Sequence, residues 1–182
     1  MRLFVLILCG LLWALPLRAD VAPVLPEAML KRIKAAPERF LDLAALLIHG
    51  FGAGGSVDMA GIERSIALDR AGARASAQRR LLAADLDGNG AVTGAEIAVA
   101  AGAAGATTRA RLITTHARAD ADADGTVTPA ELAAHAGAEA LRMVSEPEAA
   151  LARAVLACDQ DADGQVTMAE VRRALAALDP AA

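Results

Sequence analysis

From Pro37 onward, stretches rich in Ala and Leu with apolar residues three and four positions apart alternate with short runs dense in Asp, Gly and Thr. That spacing is the period of an amphipathic helix, and no stretch sustains the alternation of two that a half-buried strand would show. The pattern predicts an almost wholly helical body. Ahead of it, residues 20–36 carry Pro23, Pro26 and a basic patch of Lys31, Arg32 and Lys34, and read as a leader segment. Further back, Met1-Arg2 precedes an apolar run from Leu3 to Leu17, broken only by Gly10 and Pro16, and then Arg18-Ala19-Asp20. This is the layout of a secretory signal peptide over residues 1–19, and it implies a periplasmic or secreted protein. An uncleaved anchor is the rival reading, because Leu17 is bulky where a peptidase prefers a small side chain. The run is shorter than the roughly 20 residues of a spanning helix, and no later stretch is long and apolar enough to serve as a transmembrane segment.

The polar runs repeat. Asp85–Glu96 reads DLDGNGAVTGAE, Asp120–Glu131 reads DADADGTVTPAE and Asp159–Glu170 reads DQDADGQVTMAE, with starts 35 and 39 residues apart. Another 35 residues back, Gly50–Gly61 reads GFGAGGSVDMAG, keeping glycine at the sixth position and valine at the eighth. An apolar residue follows each segment, namely Ile62, Ile97, Leu132 and Val171. Four repeats are inferred, the first degenerate.

The three intact segments fit D-x-[DN]-x-[DN]-G-x5-E, a spacing that lets a chain wrap six to eight oxygens around a hard dication. In the second repeat the donors are Asp85, Asp87, Asn89, the Ala91 carbonyl, Thr93 directly or through water, and Glu96 at the closing position. In the third they are Asp120, Asp122, Asp124, the Thr126 carbonyl, Thr128 and Glu131; in the fourth, Asp159, Asp161, Asp163, the Gln165 carbonyl, Thr167 and Glu170. Gly90, Gly125 and Gly164 permit the sharp turn. The segments place eleven carboxylates at ligand positions, half of the 22 acidic residues in the chain. Solvated turns between helices would also use Asp and Gly, but like charges so crowded repel one another unless a cation sits among them. Each segment also ends T-x-x-E, the spacing of a helix capping box, which puts the closing glutamate at a helix start.

Over residues 37–179 these motifs resemble the EF-hand calcium-binding proteins, in a four-repeat, calmodulin-like layout. The resemblance implies an all-α fold of two pairs of helix–loop–helix hands, with short β-bridges joining paired loops at the eighth position. It pairs Val57 with Val92 and Val127 with Val166, and divides the chain into a first pair over 37–104 and a second over 105–182. Three calcium ions are the expected cofactors. The first loop, with Gly50, Gly52, Gly54 and Gly61 at its first, third, fifth and twelfth positions, is expected to bind none and to hold the second loop as a partner. His116 stands where such hands keep an apolar anchor, filled by Leu81 and Val155 in its counterparts; His49 and His135 read as ordinary helix residues.

Composition narrows the function. The chain has 182 residues, 55% hydrophobic with Ala dominant, and a net charge of -4, so no basic field exists to attract nucleic acid. Removal of residues 1–19 would leave 16 basic and 22 acidic residues, a net of -6, and Cys158 as the lone thiol, which forbids an intramolecular disulfide. Three dications would offset that charge. The expected role is an exported, calcium-stabilised binding, scaffold or buffer protein. The alternative is a sensor that binds a partner protein through an apolar groove, made shallow by the scarcity of Met and Phe. A remote alternative is an enzyme with a dinucleotide-binding glycine loop at 50–55, because Gly50, Gly52 and Gly55 spell G-x-G-x-x-G after the apolar run Leu43–Ile48; that reading requires a strand before the glycines and a parallel sheet after them. No catalytic constellation recommends itself.

Overall fold

The computed structural model describes residues 25–178. The elements run α1 (Glu27–Ala35), α2 (Pro37–Phe51), β1 (Ser56–Asp58), α3 (Met59–Leu82), β2 (Val92–Thr93), α4 (Gly94–Gly102), α5 (Ala106–Ala119), β3 (Thr126–Val127), α6 (Pro129–Met143), α7 (Glu146–Arg153), a 3-10 segment (Ala154–Cys158), β4 (Gln165–Thr167) and α8 (Met168–Leu178). The mostly helical body expected from the periodicity is present, with two small antiparallel sheets of two strands each.

Local chemistry sets the helix starts. Thr93 and Thr128 each accept a hydrogen bond from the amide three residues on, while Glu96 and Glu131 reach back to the threonine amides. Thr167 and Glu170 make the same reciprocal pair ahead of α8. Orphan donors at each helix N-terminus are thereby satisfied. Asp58 caps α3 by accepting from the Gly61 amide at 2.8 Å. Pro37 and Pro129 sit in the first turns of α2 and α6, where the missing amide costs nothing.

The strand pairing differs from the sequence-based expectation. Val57 stands opposite Val166 in the β1–β4 pair, and Val92 opposite Val127 in the β2–β3 pair; the expected Val57–Val92 and Val127–Val166 bridges are not formed. The cause is α3. Its 24 residues carry no proline and run unbroken from the first loop to the second, which separates the two by roughly 36 Å at 1.5 Å per residue. The second and third loops, by contrast, are joined by two helices that turn back at Ala103–Gly105. The repeats therefore nest, second with third inside first with fourth, and both strand pairs cross the 104/105 division.

Each nested pair has its own core. Phe40, Leu47, Ile48, Val57, Ile62, Val155, Val166 and Val171 form the larger cluster around the first and fourth loops. Leu81, Val92, Ile97, Val127 and Leu132 form the smaller one around the second and third. The leader segment contributes to the first: it forms α1, whose Ile33 is buried in that cluster. Of the leader and signal-peptide segments, residues 1–24 lie outside the described residues.

Candidate metal centres

In each intact loop the backbone turns on two left-handed residues, at the fourth and sixth positions. They are Gly88 and Gly90, Ala123 and Gly125, and Ala162 and Gly164, with φ between 59° and 87°. This path turns successive amides inward onto the side-chain oxygens. Asp85 Oδ1 accepts from the Gly88 and Asn89 amides at 2.8 and 3.2 Å, and its Oδ2 from Gly90 at 2.9 Å. Asp120 accepts from the Asp124 and Gly125 amides, and Asp159 from Ala162 and Gly164. The third-position carboxylates Asp87, Asp122 and Asp161 each accept from the amide two residues on.

The closing glutamates complete the clusters. One oxygen of Glu96 accepts from the amide and hydroxyl of Thr93 at 2.8 Å, and the other from the Leu86 amide at 2.8 Å. Glu131 repeats this with Thr128 and Ala121, and Glu170 with Thr167 and Gln160. These glutamates therefore clamp the far end of each loop to its beginning, whatever else they bind.

Three groups result: Asp85, Asp87 and Glu96; Asp120, Asp122 and Glu131; Asp159, Asp161 and Glu170, each with one carboxylate oxygen per residue within 4.8 Å of the others. Sequence reasoning assigned all nine. The fifth-position carboxylates Asp124 and Asp163 are not in these groups; their Oδ1 atoms accept the seventh-position amides of Thr126 and Gln165 at 2.7 Å, as Asn89 does for Ala91. Thr93, Thr128 and Thr167 turn their hydroxyls to the closing glutamates. The seventh-position residues Ala91, Thr126 and Gln165 lie at or next to the paired strands.

Hydrogen bonding shifts the glutamates. The Thr93 amide and hydroxyl and the Leu86 amide hold the Glu96 carboxyl down at about 2, and Thr128 and Ala121 do the same for Glu131 at about 2. For Glu170, burial pushes the carboxyl up, but the Thr167 and Gln160 bonds outweigh it and the net shift is down. All three are held ionised. Among the described residues no Lys or Arg forms an ion pair with any of the nine carboxylates. The donor sets are oxygen alone, without His or Cys, a chemistry that suits hard cations.

The first loop is built differently. Ala53 and Ser56 exchange backbone hydrogen bonds at 3.0 and 3.2 Å and close the turn on itself. A Cβ on Gly52 would lie 2.1 Å from the Ser56 carbonyl oxygen, and one on Gly61 would lie 2.8 Å from that of Phe51. The backbone approaches itself where a side chain would otherwise project. The strand demanded by the G-x-G-x-x-G reading is also lacking, since Leu43–Ile48 lies within α2 and the strand pairs are antiparallel.

His116 has a specific place that sequence reasoning missed. It is buried, and its Nε2 lies 3.0 Å from the Val92 carbonyl oxygen, tying α5 to the β2 strand of the partner loop. Its offset from Asp120 was the available signal, a polar residue at an apolar anchor position. His135 is buried on α6, with its pKa lowered by burial against the opposing pull of Glu139, while His49 is exposed at the end of α2. Cys158 is buried, and burial together with the Glu170 charge pushes its thiol up to about 11.

No family model, curated protein or solved structure matches the chain.

Proposed function

We propose that the chain is an EF-hand-type protein that binds three calcium ions, one in each intact loop. The observation that carries this reading is the recurrence of one arrangement: first, third and twelfth carboxylates converge to within 4.8 Å in all three loops, and among the described residues no Lys or Arg forms an ion pair with any of them. A chance acidic turn has no reason to recur with the same oxygens facing one another. Calcium would be held by these carboxylates, the fifth-position oxygens and the seventh-position carbonyls; twelfth-position glutamates offer the two oxygens the larger ion prefers over magnesium.

The proposed role is that of an exported protein whose folded state depends on calcium, acting as a binding, scaffold or buffer protein. Binding to the folded state alone stabilises it by mass action: a dissociation constant of about 10 μM against about 1 mM free ion gives about 2.7 kcal/mol per site. A thermal scan with and without chelator tests this. The reading predicts a melting temperature that rises steeply with calcium and far less with magnesium; identical scans would refute it. A sensor role is the second reading, favoured by an open groove beside the second and third loops.

A further inference from the structure

The two nested pairs are not equally covered. Loops starting at Asp85 and Asp159 make residues 74 apart equivalent in the second and fourth repeats. Ala157, Cys158, Ala174 and Leu178 line a small cavity of about 200 Å³ in the fourth repeat, and there α1 is seated with Leu30 and Ile33, and with Leu25 just ahead of it, against them. Their equivalents Ala83, Ala84, Ala100 and Ala104 line a groove of about 660 Å³ in the second repeat, bounded by α5. No helix covers that groove among the described residues. The chain thus shows what such a groove accepts, a short amphipathic helix, and leaves its counterpart open.

Charge defines the missing occupant. The helix that fills the fourth-repeat groove is basic, bearing Lys31, Arg32 and Lys34, and Arg32 reaches toward the acidic start of α7 at the Pro147 carbonyl, 3.5 Å away. The open groove has the opposite need. Arg79, Arg80 and Arg111 stand on its rim, all exposed, and its lining contains no carboxylate. None of the three forms an ion pair or a side-chain hydrogen bond among the described residues, whereas Arg70 and Arg153 elsewhere on the surface pair with Glu146 and Glu63. Three unpaired guanidinium groups beside an apolar trough, in a chain whose formal charge is negative, select against a basic helix and for carboxylates placed beside apolar side chains.

We infer that the open groove between the end of α3, α4 and α5 docks an amphipathic helix of a partner protein whose flanking residues are acidic. The inference deepens the sensor reading, which uses the same groove, and rests on the groove and its arginines rather than on calcium occupancy, so peptide binding and calcium uptake fail separately. A labelled sixteen-residue helical peptide with leucines on one face and glutamates beside them is titrated with the full chain by fluorescence anisotropy, in calcium and in chelator. Glutamine and lysine versions of the peptide serve as comparisons. Saturable binding of the glutamate peptide in either condition, at least tenfold tighter than the other two, is expected. Joint charge reversal by R79E, R80E and R111E should weaken it at least tenfold without changing the circular dichroism, while R172E on α8 should leave it unchanged.

Equal binding of the three peptides, indifference to the triple reversal, or no binding in both conditions would overturn the inference. So would displacement of the peptide by dodecanoate at lower concentration than by unlabelled peptide, which would assign the groove to a fatty acid. Self-association of the chain that the triple reversal abolishes would assign it to a second copy.

Discussion

Truncating Val57 and Val166 to alanine, singly and together, measures whether the first loop is bound to the fourth. Both valines are essentially inaccessible, at 1% and 0% exposure, and stand opposite each other in the β1–β4 pair. Each truncation removes two buried methyl groups from the larger core. At about 0.8 kcal/mol per methylene plus a term for the cavity left behind, each costs roughly 2–3 kcal/mol. Because the side chains are cross-strand neighbours, the double variant should depart from additivity by about 0.5–1 kcal/mol. Val92 belongs to the other core, so Val57 and Val92 should add to within about 0.5 kcal/mol. Urea denaturation followed by circular dichroism reads all of these. Coupling of Val57 to Val92, together with strict additivity between Val57 and Val166, would refute the nested arrangement and restore sequential pairing.

Three further outcomes follow from the same geometry. Ala123 and Ala162 hold positive φ where the second loop has Gly88, so A123G and A162G should each raise stability by roughly 1 kcal/mol in denaturant titrations, and a loss would contradict the strain assigned to those turns. Glu96 and Glu131 have folded-state pKa values of about 2 against an ordinary 4.5; their contribution is complete above pH 4.5 and is lost as pH falls toward 2, so the E96Q/E131Q variant should lose less melting temperature than the native chain across that interval. Cys158, buried and shifted up to about 11, should react with iodoacetamide at neutral pH far more slowly in the native chain than in urea; equal rates would show that the groove under α1 opens readily.

The loops are legible because the spacing of their oxygens and glycines is a local property. Oxygens at the first, third and twelfth positions and glycine at the sixth are readable in twelve residues, and Thr93, Thr128 and Thr167 announce the helix starts beside them. The pairing was not legible. All four loops carry valine at the eighth position, so the bridging residues hold no information about which loop meets which. That is decided by the unbroken α3, in which nothing between Ile66 and Ala77 interrupts helical continuity. The leader is illegible for a related reason. Residues 20–36 carry no local signal that fixes their structure, and α1 is stabilised by burial of Ile33 in a cluster whose members include residues more than a hundred positions away, a contact without a local signature. His116 likewise looked merely misplaced until the strand carbonyl it meets was brought beside it.

The central claim is that three oxygen-lined loops take up three calcium ions. Calorimetric titration of the fully demetallated chain reports stoichiometry and strength together. The account predicts close to three equivalents, falling to about two when Glu131 is replaced by glutamine. Fewer than two equivalents at millimolar calcium, with the helices already formed, would contradict it.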